Sequence, residues 1–270
     1  MEKVSIQTLI EAKRKGEKIA LLTCYDYAMA KIEDSVGIDV ILVGDSLGMT
    51  ILGYTSTLPV TIDEMLIFTK AVKKGVQRAL VVADMPFMSY QLSQQDAVRN
   101  AGRFAAEADV DAVKLEGGTE IKDTVRRIVD AGIPVMGHIG LTPQSLKKFG
   151  GYKVRGRTST DKEKLIDDAK ALEDAGVFSI IVECVVSEVT PEIRDAVSVP
   201  IYGIGAGPHC DGQILVVNDI LGLDKDWKLR KYEKKYADLS SIIESALKNY
   251  VTEIKAGKFP DANHSYRVEK

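Results

Sequence analysis

The sequence predicts an α/β fold, a (β/α)8 (TIM) barrel in which parallel strands alternate with helices. The first observation is a recurring unit, in which a helical pattern ends in a turn and a short apolar run rich in Val and Ile follows. The second is the count, because eight such units in about 250 residues is what this barrel requires. The third is that the runs are almost continuously apolar, as in parallel strands buried on both faces. A doubly wound open sheet uses the same units, but the count and the lack of a GxGxxG motif after the first run favour the barrel.

The apolar runs predict the strands, and the stretches between them predict the helices. In chain order the units are KGEKIALLTCYD, SVGIDVILVGD, KKGVQRALVVAD, EADVDAVKLE, DAGIPVMGH, DAGVFSIIVE, AVSVPIYGIG and, less cleanly, DGQILVVND. Apolar residues at helical spacing are clearest over 98–108, 121–129 and 165–172. Five glycines stand where the end of a helix needs a left-handed residue: Gly16, Gly37, Gly75, Gly132 and Gly176. An N-terminal helix is predicted before the first strand, and an extra C-terminal helix is predicted over 236–256.

Two loops are longer than the predicted barrel requires. Residues 44–64 follow the second strand, and residues 139–160, rich in Gly and basic side chains, follow the fifth. Long loops of this kind in a compact domain are usually lids or binding loops. Because no low-complexity linker interrupts the pattern, we expect residues 1–270 to form a single domain.

Composition and charge narrow the class of function. The chain has 270 residues and a formal net charge of −3, which argues against broad electrostatic binding to nucleic acid or to anionic membranes. No apolar run approaches the length of about 20 residues that a membrane-spanning helix needs, and the charged N-terminal segment does not resemble a signal peptide. The three widely separated cysteines form neither a disulfide framework nor a zinc pattern. We therefore expect a protein of the reducing cytoplasm.

Three carboxylates end neighbouring apolar runs and predict a metal site. Asp45, Asp84 and Glu116 follow the second, third and fourth runs, so a barrel brings them to one sector of its mouth. Their mutual repulsion is expected to raise their pKa values unless a cation lies among them. Oxygen ligands without a cysteine pair suit Mg²⁺ first, with Mn²⁺ or Ca²⁺ as alternatives. An isolated carboxylate at such a position is better explained as a helix N-cap, and it is the convergence of the three that favours a metal site.

Three further side chains are candidate substrate contacts. Lys114 lies two residues before Glu116, so strand alternation places both side chains on the same face of the barrel. It is suited to hold a substrate anion, and a structural ion pair is the alternative. Ser46 directly follows Asp45 and offers a hydroxyl and a backbone N–H to a carboxylate. His138 ends the fifth run at the mouth, where an active-site role and a packed structural role are both open.

Glu183 stands apart, at the end of the sixth run, FSIIV. Partial desolvation there suits a general base, and a salt bridge across the mouth is the alternative.

The turn GIGAG after the seventh run suits either phosphate binding through backbone N–H groups or tight packing. Basic residues of the fifth loop could attract an anionic substrate or simply face solvent: Lys147, Lys148, Lys153, Arg155 and Arg157.

Several of these segments resemble one family closely. The matching segments are LTCYDYAMAK, VILVGDSLGM, TSTLPVT, ADMPFMSY, VKLEGG, GHIGLTPQS, FGGYKVRGR, VECV and IGIGAGPHCDGQILV, spread over residues 3–265. Their order is specific to the ketopantoate hydroxymethyltransferase family, and the chain is identified as similar to it. The resemblance implies a (β/α)8 barrel enzyme of pantothenate and coenzyme A biosynthesis that commonly assembles as a homo-oligomeric decamer.

The resemblance also implies a reaction and a set of roles. The family transfers a hydroxymethyl group from the cosubstrate 5,10-methylenetetrahydrofolate to 3-methyl-2-oxobutanoate, giving 2-dehydropantoate and tetrahydrofolate through a Mg²⁺-stabilised enolate. By motif match, Asp45, Asp84 and Glu116 correspond to its Mg²⁺ site, and Glu183 corresponds to its proton acceptor. The substrate contacts correspond to Asp45, Ser46, Asp84 and Lys114, and His138 is expected to steady a substrate oxygen.

Two other functions stay open on the sequence alone. Another Mg²⁺-dependent enolate enzyme, such as a 2-oxo-acid aldolase or an isocitrate-lyase-like enzyme, fits the same barrel and carboxylates. Such lyases carry a cysteine in a catalytic loop, whereas the stretch IGLTPQSLKKFGGYKVRG has none. A non-catalytic metabolite-binding barrel is the other alternative, and it would not need Glu183 opposite a metal cluster.

Overall fold

Eight parallel strands, each hydrogen-bonded to the next in chain order, close into a barrel. In the computed structural model, which describes residues 2–268, the strands are β1 (Ile19–Thr23), β2 (Val40–Val43), β3 (Leu80–Asp84), β4 (Ala112–Glu116), β5 (Val135–Gly140), β6 (Ser179–Glu183), β7 (Ile201–Ile204) and β8 (Gly212–Leu215). Because β1 also pairs with β8, the sheet has no open edge. The predicted (β/α)8 barrel is confirmed, and the open sheet is excluded.

The chain divides into two compact units, Met1–Val216 and Val217–Lys270. The first holds all eight strands and the helices α1 (Ile6–Lys15), α2 (Tyr27–Val36), α3 (Leu47–Thr50), α4 (Ile62–Gly75), α5 (Gln94–Ala108), α6 (Lys122–Asp130), α7 (Leu146–Phe149), α8 (Ser159–Ala175) and α9 (Thr190–Asp195). The stretches predicted as helices over 98–108, 121–129 and 165–172 lie in α5, α6 and α8, apart from the first residue of the second. The expectation of a single domain over residues 1–270 stays a prediction.

Five of the described helices, α1, α2, α4, α5 and α8, begin after a residue whose side chain caps a free N–H group. At the start of α4, Thr61 Oγ1 accepts a hydrogen bond from the backbone N–H of Glu64 at 3.2 Å. Glu64 Oε2 in turn accepts one from the backbone N–H of Thr61 at 2.7 Å. This reciprocal capping box satisfies two donors that the first turn of a helix leaves free. The same arrangement, made by Ser5 and Thr8, starts α1 and confirms the predicted N-terminal helix.

Four of the five glycines predicted to be left-handed have positive φ, and Gly75 is the exception. Gly75 is the last residue of α4 instead of lying beyond it. A Cβ at this position would lie 2.7 Å from the carbonyl oxygen of Tyr27 and 2.8 Å from Cβ of Ala30. The glycine is therefore required by the close approach of α4 to α2, and the prediction of a left-handed residue there was wrong.

The lower part of the barrel interior is filled by apolar side chains. This core consists of Val4, Leu9, Leu21, Val40, Leu42, Leu80, Val82, Ala112, Met136, Phe178, Ile181, Tyr202 and Ile214, all at most 8% exposed. Leu9 of α1 belongs to this cluster, so the N-terminal helix contributes to the core of the barrel. The charged side chains of β3 to β6 lie beyond this core, at the carboxyl ends of the strands.

The second unit contains α10 (Val217–Leu221) and α11 (Leu239–Lys255). The bounds of α11 confirm the extra C-terminal helix predicted over 236–256. None of the residues of α11 is buried. Its exposed large apolar side chains are Ile242, Ile243, Leu247, Tyr250, Val251 and Ile254.

Among residues 2–268, no helix combines the length and apolar character needed to cross a membrane.

Candidate active site

The inward-facing side chains of β3, β4 and β5 change from apolar to charged toward the carboxyl ends of the strands. The inward series, from bottom to top, are Leu80, Val82 and Asp84 on β3, Ala112, Lys114 and Glu116 on β4, and Met136 and His138 on β5. Asp84 pairs in register with Lys114, and Glu116 pairs with His138. Because paired residues of parallel strands point to the same face, the register alone brings these charged groups together.

Lys114 lies between two of the carboxylates. Its Nζ is 2.6 Å from Asp84 Oδ1 and 3.9 Å from Glu116 Oε1, and its side chain is only 4% exposed. Burial by itself would lower the pKa of Lys114, but the neighbouring carboxylates outweigh it and raise that pKa above its ordinary value. Lys114 is therefore charged at neutral pH, and the ion pair that the sequence left open is present.

His138 joins Glu183 to this cluster. Its Nδ1 lies 3.2 Å from Lys114 Nζ and 3.4 Å from Glu116 Oε1, and its Nε2 lies 3.2 Å from Glu183 Oε2. Burial and the charge of Lys114 act to lower the pKa of His138, but the interactions with the two glutamates raise it to about 9. Glu183 thus faces the carboxylate cluster with a histidine between them.

Asp45 and Ser46 lie in the loop after β2, one residue beyond the strand, and complete this side of the mouth. The backbone N–H of Asp45 donates to Asp84 Oδ2 at 3.0 Å, which ties the loop to β3. Ser46 is half-buried, and its Oγ lies 2.7 Å from the hydroxyl oxygen of Tyr25. The N-cap explanation of the carboxylates is wrong for the helices that follow β2 and β3. There α3 begins after Ser46, α4 after Thr61 and α5 after Ser93.

The three carboxylates differ in their affinity for a proton. Burial, reinforced by the charges of Asp84 and Glu116, raises the pKa of Asp45 well above its ordinary value. Burial also raises the pKa of Asp84, although Lys114 opposes it. At Glu116 burial is outweighed by the hydrogen bond and charge of His138 and by Lys114, so its pKa is lowered. The expected raised pKa values therefore hold for Asp45 and Asp84, whereas Glu116 meets the stated exception, because the cations Lys114 and His138 lie beside it.

Two buried residues of this site were missed by reasoning from the sequence. Gln144, in the turn after β5, contacts Asp45 and Glu116, and Tyr90, in the loop after β3, contacts Glu116 and Gln144. Both lie in segments already noted as matching motifs, GLTPQS and ADMPFMSY, but neither ends an apolar run. Their contacts depend on loop conformation, for which strand periodicity carries no signal.

The donor set suits a hard divalent cation. Within the described residues, no three Asp, Glu, His or Cys side chains already form a group that would hold a metal. Mg²⁺ does not need such a group, because one or two carboxylates commonly bind it while waters and substrate complete its coordination. Asp45, Asp84 and Glu116 are each at most 6% exposed and offer oxygen donors alone. Their chemistry therefore fits Mg²⁺ or Mn²⁺.

The sequence also left open the roles of the basic residues in the fifth loop and of the GIGAG turn after β7. Arg155 is not a free basic group of the fifth loop, because it forms an ion pair with Asp161 and its backbone pairs with Val185. The other four basic residues of that loop are exposed. In the GIGAG turn, a Cβ on Gly207 would lie 2.5 Å from Ser187 Oγ, so close packing explains this glycine.

The sequence matches a family model described as ketopantoate hydroxymethyltransferase over residues 3–262. Two similar curated proteins are both named 3-methyl-2-oxobutanoate hydroxymethyltransferase. The one from Syntrophus aciditrophicus is 53% identical over 264 residues, which is 98% of this chain and 97% of the relative. The one from Carboxydothermus hydrogenoformans is 53% identical over 268 residues, covering 99% of this chain and 97% of the relative.

Solved structures with a similar barrel have much lower sequence identity. A phosphonopyruvate hydrolase in complex with oxalate and Mg²⁺ aligns with a TM-score of 0.63 at 11% identity, covering 98% of this chain and 92% of that one. A 2,3-dimethylmalate lyase, a member of the PEP mutase/isocitrate lyase superfamily, aligns with a TM-score of 0.61 at 16% identity, covering 98% and 93%. At such identity these likenesses show the fold alone.

Proposed function

The chain belongs to the ketopantoate hydroxymethyltransferase family, and from this premise we propose that it converts 3-methyl-2-oxobutanoate into 2-dehydropantoate (ketopantoate). The one-carbon unit comes from 5,10-methylenetetrahydrofolate, one water supplies the hydroxyl oxygen, and tetrahydrofolate leaves. The observation that carries the proposal is the chain of contacts from Asp84 through Lys114, Glu116 and His138 to Glu183 at the mouth of the barrel. It combines buried carboxylates, a cation and a separate base, as enolate chemistry requires.

We propose that Asp45, Asp84 and Glu116 hold a divalent ion, Mg²⁺ first and Mn²⁺ as the alternative. When bound, the ion supplies Lewis-acid charge that favours negative charge on the 2-oxo oxygen of the substrate. The support from the structure is that three buried carboxylates share one sector while Lys114 and His138 supply only part of the positive charge needed around them.

The substrate carboxylate is held by Lys114 and Ser46. Lys114 is charged and buried, so it binds an anion without competition from bulk water. Ser46 is half-buried at the rim, and its hydroxyl is not used to cap α3. Asp45 and Asp84 border the same space, and His138 is placed to donate to an oxygen of the substrate. These contacts fix the orientation of C3 relative to Glu183.

Glu183 is the proposed base that removes the proton from C3. The C3–H bond breaks, the proton goes to the Glu183 carboxylate, and the electron pair moves toward the 2-oxo oxygen. The nucleophilic C3 then forms a bond to the one-carbon unit, whose two bonds to folate nitrogens break. Water supplies the hydroxyl group, and the C3 proton and one proton of water end on the nitrogens of tetrahydrofolate. The support is its place at the end of β6, where its side chain is 9% exposed and faces the cluster across His138. A partly desolvated carboxylate opposite the charge-stabilising groups suits general-base catalysis.

The proposal also covers folate binding, the oligomeric state and the cellular location. The exposed basic residues Lys147, Lys148, Lys153 and Arg157 lie on the loop after β5 and are suited to steer the anionic tail of the folate. We also propose a homo-oligomer, a decamer by family resemblance, and the exposed apolar side chains of α11 support association with further copies. A cytoplasmic location agrees with the free thiols of the three buried cysteines.

A single assay tests the proposed reaction. Purified protein is mixed with 3-methyl-2-oxobutanoate and 5,10-methylenetetrahydrofolate, with Mg²⁺, with Mn²⁺, or with a chelator, and 2-dehydropantoate is measured by mass spectrometry. We expect product with either ion, none with the chelator, and none without folate. The lack of product with every divalent ion tried would refute the proposal, and product without folate would refute the assigned donor.

A further inference from the structure

A buried amide lies among the candidate metal ligands. Gln144 is 5% exposed, and its Nε2 donates to Asp45 Oδ2 and to the backbone carbonyl oxygen of Met85, both at 3.0 Å. The backbone N–H of Gln144 donates to Glu116 Oε2 at 2.9 Å. One residue of the turn after β5 therefore binds one oxygen of each of two carboxylates, Asp45 in the loop after β2 and Glu116 at the end of β4.

The orientation of this amide is determined by its neighbours. The carboxylate of Asp45 and the carbonyl of Met85 are acceptors, so both must face the NH2 group of Gln144. The opposite atom, Oε1, then accepts a hydrogen bond from the hydroxyl of Tyr90 at 2.8 Å and one from Gln91 Nε2 at 3.3 Å. Each donor and acceptor position of the amide is thus occupied.

Tyr90 connects the amide to the backbone of β4. Its side chain is 2% exposed, and its hydroxyl oxygen accepts a hydrogen bond from the backbone N–H of Glu116 at 3.2 Å. Since that hydroxyl donates to Gln144 Oε1, the position of the amide is coupled to the strand that carries Glu116. Buried polar networks of this kind hold one arrangement when all of their members are satisfied.

We infer that Gln144 is a positioning residue that sets the affinity of the site for the divalent ion, an inference that rests on the proposed function. By holding Asp45 Oδ2 and Glu116 Oε2, it fixes the orientation in which these two carboxylates would meet the ion. Residues that orient metal ligands in this way typically change metal affinity or activity by about 10–100-fold when replaced.

The test compares Gln144→Met with a matched control, Gln91→Met. Methionine has nearly the size of glutamine and keeps the backbone N–H that binds Glu116, but it removes both donors of the amide. Gln91 is exposed, and its side chain donates a hydrogen bond to the Gln144 amide. It contacts no carboxylate that we assign to the ion. The affinity for Mn²⁺ is measured by isothermal titration calorimetry, and melting temperatures are measured in a chelator.

We expect Gln144→Met to bind Mn²⁺ about 10–100-fold more weakly than wild type, whereas Gln91→Met binds it normally. Saturating Mg²⁺ should restore most of the turnover of Gln144→Met, which a merely structural defect would not allow. If Gln144→Met does not fold, Tyr90→Phe takes its place, because it removes the hydroxyl that orients the amide. We expect this variant also to bind Mn²⁺ more weakly than wild type. Wild-type affinity in the folded variant overturns the inference.

The outcome for wild type separates this inference from the proposed function. A wild-type protein that binds no divalent ion refutes the proposed metal site, and the inference falls with it. A wild type that binds the ion and turns over substrate, together with a variant of unchanged ion affinity, refutes the role of Gln144 alone.

Discussion

Replacing Glu183 by glutamine removes the proposed base and keeps the shape of its side chain. Glu183 Oε2 lies 3.2 Å from His138 Nε2 at the end of β6. The amide oxygen of glutamine is able to accept a hydrogen bond from the same imidazole, so we expect the variant to fold. The substitution therefore tests basicity at this position more than packing.

The size of the expected loss follows from what surrounds Glu183. A positioned general base contributes about 10²–10⁴-fold to a rate, equivalent to about 3–5.5 kcal/mol of activation free energy. Asp84 lies 2.6 Å and Glu116 3.9 Å from the ammonium nitrogen of Lys114, and both are assigned to the ion, so neither is expected to take the proton instead. We therefore expect Glu183→Gln to lie in the upper part of that range, with a loss of about 10³-fold or more.

The assay isolates proton removal from the later steps. The protein is incubated with 3-methyl-2-oxobutanoate and Mg²⁺ in D₂O without folate, and the loss of the C3 proton signal is followed by NMR. Wild type should exchange this proton, and a chelator should stop the exchange. The matched control is Glu188→Gln, an exposed glutamate of the segment after β6, which should exchange at the wild-type rate. Wild-type exchange by Glu183→Gln would show that another group is the base.

Two further substitutions test the electrostatics of the chain. Lys114→Met leaves Asp84 and Glu116 without their buried ammonium group, so in a chelator it should lower the free energy of unfolding by about 3–5 kcal/mol. Mg²⁺ should then raise the melting temperature of this variant more than that of wild type, and equal increases would contradict this account. Glu33 is 3% exposed, and burial raises its pKa from 4.5 to about 8, so the folded state holds its proton more tightly than the unfolded chain. Its contribution to stability is present below pH 4.5 and is lost as pH rises toward 8, at up to about 1.4 kcal/mol per pH unit. Glu33→Gln should therefore have a higher melting temperature than wild type at pH about 8.5, with a smaller difference near pH 5. A difference in melting temperature that does not depend on pH would contradict the raised pKa of Glu33.

The strands and their polar ends could be predicted because side chains alternate between the two faces of a strand and recur about every 3.6 residues on one face of a helix. Apolar runs between helical stretches indicated all eight strands, and the alternation of side chains correctly placed Lys114 and Glu116 on one face. Gly75 shows where such reasoning fails. A glycine near the end of a helical pattern suggests a left-handed cap, but the close approach of another helix, which no local pattern reveals, is its actual cause.

The pKa values of the site show a second limit. Three acidic residues at neighbouring strand ends suggest mutual repulsion, and this holds for Asp45 and Asp84. Glu116 differs because it pairs in register with His138 and also lies 3.9 Å from Lys114. The register of strand pairing is a tertiary property, so the sign of the shift at Glu116 required the structure.

Strand residues and loop residues contribute to the site in different ways. Asp84, Lys114, Glu116 and His138 continue the same inward series that fills the core below them, so the barrel itself fixes where they stand. Gln144 belongs instead to the short turn Pro143–Ser145 after β5, outside the strands. A substitution there changes how two carboxylates are oriented without changing the strands that carry them. Changes in ion affinity at constant fold should therefore arise mainly from the loops after β3 and β5, whereas changes at the strand ends should affect stability and chemistry together.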